Sequence, residues 1–281
     1  MRTVSALEIQ KAVTALCIKA NYDLPDDLFE KIRSAVQNET EALPKSILQK
    51  LVENCAAAKR LNVPICQDTG MAVVFVDVGQ DVALTGAPFE DAINEGVRRG
   101  YDIGYMRKSV VRDPFFDRTN TDDNTPTLIY TRIVPGDNVR ITVAPKGFGS
   151  ENMSAVRMFT PSAKKEDLIA FVTQTVKEAG SNPCPPIVVG VGLGGDFEYA
   201  AYLSKKALIR DTSVRNADAR YAELENELLN ALNSLNIGPQ GFGGRTTCLA
   251  VNIETYPTHI AGLPCAVNIG CHVTRHASTV V

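Results

Sequence analysis

The hydrophobic period of this chain is helical up to about residue 63 and mixed beyond it, and that change limits it to folds combining a helical front with sheets and helices behind. Before that point Ala6, Ile9, Val13 and Leu16 recur at helical spacing, and so do Ile47, Leu48, Leu51 and Cys55. The stretch from Asp26 to Val36 continues the pattern as far as Asn38, and Pro44 opens a helix in its first turn. After it, Pro64 and an Asp68-Thr69-Gly70 turn lead into an apolar run over 72–78 that reads as a buried strand. Strands are predicted over 127–134 and 138–144, joined by a Pro-Gly-Asp turn and therefore a hairpin by local signals. Further strands are predicted over 187–191, 246–254 and 263–269, with helices over 165–179, 197–209 and 219–235.

This order predicts an α+β (irregular α/β) fold: a helical N-terminal part, then mixed sheets with flanking helices. No repeat or low-complexity linker interrupts it, so a single domain over 1–281 is expected, with a helical front to about residue 62 and an α/β part from 63 on. Residues 105–126, rich in Asp, Asn, Arg and Pro, read as a long loop of the kind that often carries function.

Composition removes several classes of function. With 44% hydrophobic and 22% charged residues the chain is no disordered segment. Its net charge of −3 lacks the basic surface that non-specific nucleic-acid binding needs. No apolar run approaches the roughly 18 residues of a spanning helix, and the start has no apolar centre or cleavage site of a signal peptide. A soluble, cytoplasmic protein without membrane contact is expected.

Three segments are rich in glycine: 145–152, 190–195 and 238–247. The second matches G-x-G-x-x-G through Gly190, Gly192 and Gly195, placed between a strand and a helix. A dinucleotide site also needs a second parallel strand ending in an acid that binds ribose. Here the helix runs on into a loop and another amphipathic helix, which argues against nicotinamide or flavin binding. Glycine loops also bring backbone N–H groups close to anions. With Ser150, Asn152, Arg245 and Thr246 beside them, the three together suit a small carboxylated substrate.

The seven cysteines stand at 17, 55, 66, 184, 248, 265 and 271, an odd number in a chain that shows no sign of secretion. Cys17 and Cys55 fall on helical apolar stripes, while Cys248 and Cys265 fall within strand patterns, as structural thiols do. Cys66 lies among polar residues at a turn, Cys184 between prolines ahead of a strand, and Cys271 at a strand end. Their wide separation excludes zinc knuckles and the dense cysteine runs of ferredoxins. A cluster held inside a finished fold by three thiolates, with one iron open, remains compatible with it.

The set P-I-C-Q-D-T-G, K-G-F-G-S-E-N, N-P-C-P-P-I-V-V-G-V-G-L-G-G and H-I-A-G-L-P-C-A-V-N-I-G-C-H occurs in order over nearly the whole chain. It resembles the iron–sulfur hydro-lyases of the class I fumarate hydratase / L(+)-tartrate dehydratase family, in particular the α subunit of the two-subunit form. The resemblance implies that Cys66, Cys184 and Cys271 ligate a [4Fe–4S] cluster whose fourth iron is a Lewis acid, in an oxygen-sensitive enzyme. It implies Asp68 as the catalytic acid on the hydroxyl side, with a turn-capping Asp as the plainer alternative. It further implies Gln67, Arg107, Gly149 and His259 as substrate-binding residues, with Lys146 able to add charge. Of the three histidines, His272 and His276 read as supporting or surface residues.

Single-chain members continue into a second domain that supplies the base, whereas this chain ends at Val281. A separate β subunit in an α2β2 heterotetramer is therefore expected. The first expectation for the reaction is hydration of fumarate to (S)-malate, as in the tricarboxylic acid cycle, and the second is dehydration of tartrate to oxaloacetate. A redox or electron-transfer iron–sulfur protein, its fourth ligand recruited from Cys265 or Cys248, is the alternative of another class.

Overall fold

The computed structural model describes all 281 residues. The chain runs β1 (Arg2–Ser5), α1 (Ala6–Tyr22), α2 (Asp26–Asn38), α3 (Ala42–Leu61), β2 (Met71–Gly79), β3 (Val82–Thr85) and α4 (Phe89–Ile103). It continues through β4 (Leu128–Val134), β5 (Val139–Lys146), a single turn α5 (Phe148–Glu151), β6 (Ala155–Phe159) and α6 (Lys165–Ala179). Then come β7 (Ile187–Gly195), α7 (Phe197–Ala207), α8 (Ala219–Asn233), β8 (Cys248–Thr258), β9 (Leu263–Gly270) and β10 (Ala277–Val280). The fold is α+β, as the change of period implies.

Two compact units divide these elements. The first comprises Met1–Pro25, Cys55–Phe148 and Arg275–Val281. Its main sheet has the order β10-β5-β2-β4, in which β2 runs parallel to β4 and antiparallel to β5. The expected hairpin of β4 and β5 does not form, because β2 lies between them. The reason is burial: Ala72, Val73, Val74, Val76 and Val78 of β2 are all buried, so this strand takes the interior position with partners on both edges. Helix α1 begins at a capping box, in which Ser5 Oγ accepts from Glu8 N–H and the Glu8 carboxylate accepts from Ser5 N–H at 2.8 Å. Its Ile9, Val13 and Leu16 enter one core with Ile93, Val97 and Tyr101 of α4 and with Val74 and Ile141 of the sheet.

The second unit comprises Asp26–Asn54 and Gly149–Thr274. Its sheet has the order β6-β9-β7-β8, with β7 parallel to β8 and antiparallel to β9. Alternate residues of β7 face opposite layers. Ile187, Val189, Val191 and Leu193 pack with Val172 and Val176 of α6 and with Leu228 and Leu232 of α8. The other face meets α7: a Cβ on Gly190 would run into the Ser204 carbonyl oxygen, and one on Gly192 into that of Ala200. The second glycine-rich segment is thus part of a strand, not a loop. Its glycines let a helix lie directly on the sheet, and they offer no cradle for an anion.

Candidate active site

In the first unit the segment after α3 turns sharply through Cys66, Gln67, Asp68, Thr69 and Gly70. The Asp68 carboxylate accepts from Gly70 N–H at 3.0 Å and from Phe148 N–H at 3.1 Å. The turn-capping role is therefore present, and the second bond fixes the carboxylate against the start of the 147–152 segment. Gly147 permits that approach, since a Cβ there would lie 2.8 Å from Asp68 Oδ2. Behind the turn, Tyr101 Oη donates to the carbonyls of Thr69 at 2.8 Å and Gly70 at 3.0 Å, and Asn124 Nδ2 donates to Gly70 O at 3.2 Å. Tyr101 is fully buried, and that burial pushes its phenol well above the ordinary range.

The same turn organises its neighbours. Thr69 Oγ1 donates to the Arg107 carbonyl at 3.1 Å, which holds the backbone of the exposed Arg107, in the 105–126 loop, against this turn. Cys66 Sγ lies 3.8 Å from Gln67 Oε1. Lys146, half-buried, closes the same region at the end of β5. Sequence reasoning missed Arg275, which is buried and donates through Nη2 to the Asp68 carbonyl, while its Nε and Nη1 have no hydrogen-bond partner. An arginine four residues after a cysteine near the chain's end gives no pattern that could have revealed this.

In the second unit, register places the two remaining cysteines together. Val188 at the start of β7 pairs with Gly270 at the end of β9. Cys184, just before β7, and Cys271, just after β9, therefore lie at the same end of the sheet. His272 N–H donates to the Cys184 carbonyl at 3.3 Å and makes the link direct. Val273 N–H donates to Cys271 Sγ at 3.3 Å. Cys184 itself adopts a left-handed backbone (φ 53°), sparsely populated for a residue with a side chain. Gly149 is close by, its Cβ position 3.5 Å from the Asn182 carbonyl oxygen. The following Glu151 is held by Lys205 at 2.5 Å and by Asn268 at 3.1 Å, which ties this turn to β9.

His259 is not brought to these cysteines within its unit. It follows Thr258, which pairs with Gly195 at the far end of β7. The nine residues of β7 separate the two ends by about 26 Å at the usual strand rise. His259 is exposed there, its Nδ1 accepting from Ala261 N–H at 3.2 Å.

The third glycine-rich segment also departs from expectation. Its N–H groups are already engaged: Gly238 with Thr247 Oγ1 at 3.1 Å, Gly244 with Asn236 Oδ1 at 2.9 Å, and Arg245 with Glu39 Oε2 at 2.7 Å. Gly241 and Gly243 N–H donate to the carbonyls of Gly238 and Ile237. Donors used inside the loop cannot serve a substrate carboxylate.

The thiols fall into two chemical groups. Burial pushes Cys17, Cys248 and Cys265 up to about 12 and Cys55 up to about 11, so these hold their protons. Cys184 is exposed, and Cys66 and Cys271 are half-buried. Metal ligation requires an accessible thiolate, and only this second group offers sulfur to a ligand. Neither unit contains three His, Cys, Asp or Glu side chains gathered for a single ion. Accessible thiols are the donor type that a thiolate-bound cluster takes, and the buried Arg275 guanidinium beside the Cys66 turn suits an anionic neighbour.

The chain is similar to known proteins over nearly its whole length. The sequence model described as fumarate hydratase (Fumerase) matches residues 10–280. A protein of Methanocaldococcus jannaschii, provisionally named L(+)-tartrate dehydratase subunit alpha, is 38% identical over 277 residues, covering 96% of each chain. The L(+)-tartrate dehydratase subunit alpha of Escherichia coli O157:H7 is 33% identical over 283 residues, covering 97% of this chain and 92% of that one. The protein of that name from Escherichia coli K12 shows the same identity over the same number of residues. No helix is long and apolar enough to cross a membrane. The chain belongs to the fumarate hydratase (Fumerase) family of hydro-lyases, which includes the α subunits of L(+)-tartrate dehydratase.

Proposed function

We propose that the chain is the α subunit of an iron–sulfur hydro-lyase acting on a four-carbon dicarboxylate, with Cys66, Cys184 and Cys271 holding a [4Fe–4S] cluster. The observation that carries this reading is the division of the thiols: three accessible sulfurs at turns, four sealed in the cores. When bound, the cluster supplies a Lewis-acidic iron for the substrate's hydroxyl and carboxylate. Asp68, its carboxyl group oriented by two backbone N–H groups, is the acid that in its protonated form gives the departing hydroxyl its proton. The forked guanidinium of Arg107 pairs with one substrate carboxylate, the backbone of Gly149 binds the other, and Gln67 orients the hydroxyl side.

The names of the relatives favour L(+)-tartrate, dehydrated to oxaloacetate, as the substrate. Fumarate, hydrated to (S)-malate, is the second reading, favoured by the family description. The base and further carboxylate-binding groups come from a β subunit, as the relatives' names as α subunits suggest. His259 lies too far along its own sheet to reach the cysteines at the other end of it. It enters a site only from a second copy, and an α2β2 assembly supplies that copy. Anaerobic assay of the co-expressed subunits on L(+)-tartrate, fumarate and (S)-malate tests the reading. Faster turnover of tartrate supports the first substrate, and faster turnover of fumarate the second. A cluster-loaded complex that converts none of them contradicts the function.

A further inference from the structure

We propose that Gln240 and His272 form a clamp that sets the Cys184 sulfur against Cys271, making Gln240 a positioning residue for the cluster. The inference rests on the reading of Cys184 and Cys271 as cluster ligands. Gln240 lies in the third glycine-rich segment and has a left-handed backbone (φ 54°, ψ 18°). From there it donates twice to one acceptor: its N–H and its Nε2 each meet the Pro185 carbonyl at 2.7 Å. Pro185 directly follows Cys184, so the peptide one residue beyond the cysteine is held from one side by a single residue.

His272 holds the peptide that leaves the cysteine itself. Its backbone N–H reaches the Cys184 carbonyl at 3.3 Å, and its ring Nδ1 lies 2.9 Å from the same oxygen. A carbonyl only accepts, so Nδ1 carries the ring proton in this arrangement. Gln240 Nε2, 3.4 Å from that nitrogen, then packs against the ring and keeps its donation for Pro185. Two left-handed residues with side chains, Cys184 and Gln240, thus flank the same short stretch of backbone. Such conformations persist where the surroundings over-determine them.

The segment carrying Gln240 is itself fixed. Gly238 N–H donates to Thr247 Oγ1 at 3.1 Å, and Thr247 N–H donates to Asn233 Oδ1 of α8 at 2.9 Å. The glycine-rich segment thereby serves as a platform from which α8 supports a cluster ligand. Outer partners of this kind typically change metal affinity by about 10- to 100-fold when removed.

The test compares the full chain, co-expressed with its β subunit, as wild type, Gln240→Gly and Gln240→Glu. Glycine accepts the left-handed backbone and keeps the backbone bond to Pro185 while removing the amide. Glutamate keeps the volume but cannot donate when ionised. Both variants are expected to retain the wild-type circular dichroism and cluster-free unfolding midpoint. They are expected to lose iron to a chelator about 10-fold faster, with altered g-values of the reduced cluster. In the cluster-free protein, hydrogen exchange at the Cys184 and His272 N–H groups should rise in both variants, residues 183, 185 and 186 being prolines without an N–H. Unchanged iron loss, g-values and exchange in the variants, with a cluster in the wild type, would overturn the clamp. A wild type that binds no iron or sulfide overturns the cluster reading itself, and the exchange comparison still decides whether Gln240 restrains the Cys184 peptide.

Discussion

Asp123 closes the long 105–126 loop through its carboxylate, which accepts from Thr125 N–H at 2.9 Å and Thr125 Oγ1 at 2.7 Å and pairs with Arg98 at 2.9 Å. Partial burial pushes its pKa upward, but these bonds outweigh it and hold the group at about 2. A carboxylate whose folded value lies below its unfolded one stabilises the fold above the unfolded value and loses that contribution as pH falls through the folded one. Stability should therefore decline from about pH 4 toward about pH 2, and Asp123→Asn should flatten that decline. Urea unfolding at a series of acidic pH values measures it, and an unaltered slope in the variant would show that the loop is not held this way. Glu39 is a buried counterpart in the second unit. Burial works against its ionised form, yet N–H donors from Glu41, Arg245 and Thr40 lower its pKa and link the start of α3 to the third glycine-rich segment.

Among the elements, β7 carries the sharpest constraint. Replacing Gly190 by alanine sets a Cβ against backbone of α7, which no rotamer change relieves. A loss of about 2–3 kcal/mol in chemical unfolding is expected. Gly262→Ala, in open space, should change stability by less than about 0.5 kcal/mol. Neighbouring elements show what is legible in the sequence. Helix α6 lies over the predicted residues because its apolar period and its ends are local signals, and the α+β class follows from the change of period. Segment 190–195 reads as a loop because glycine punctuates loops and permits close packing equally well, and only α7 distinguishes the two. The Pro-Gly-Asp turn predicts a β4–β5 hairpin, but pairing is decided by which strand must be buried with partners on both edges, a property of the whole sheet. Helix α4, absent from the predicted elements, does leave a signal: Glu90 and Asp91 open it after Pro88, and Ala92, Ile93, Val97 and Tyr101 share one face. The cysteine contexts are legible because turns and prolines are local. Arg275 and Gln240 are not, since each works through a carbonyl distant in the chain.

For the proposed α2β2 assembly, the position of His259 predicts sites shared between copies. Co-expression of Cys184→Ser chains with His259→Ala chains, each inactive alone, distinguishes the arrangements. If His259 acts in the other copy's site, mixed assemblies contain one intact site and restore roughly a quarter of wild-type activity on random pairing. If it acts in its own chain, no mixture recovers activity. Beneath this lies the assignment of three cysteines, and no others, to the cluster. Anaerobic iron and sulfide analysis decides it, with the wild type set beside Cys66→Ser, Cys184→Ser, Cys271→Ser and Cys265→Ser. Each of the first three variants is expected to lose the intact cluster while Cys265→Ser keeps it. Retention by those three, or loss in Cys265→Ser with an intact fold, would contradict the assignment.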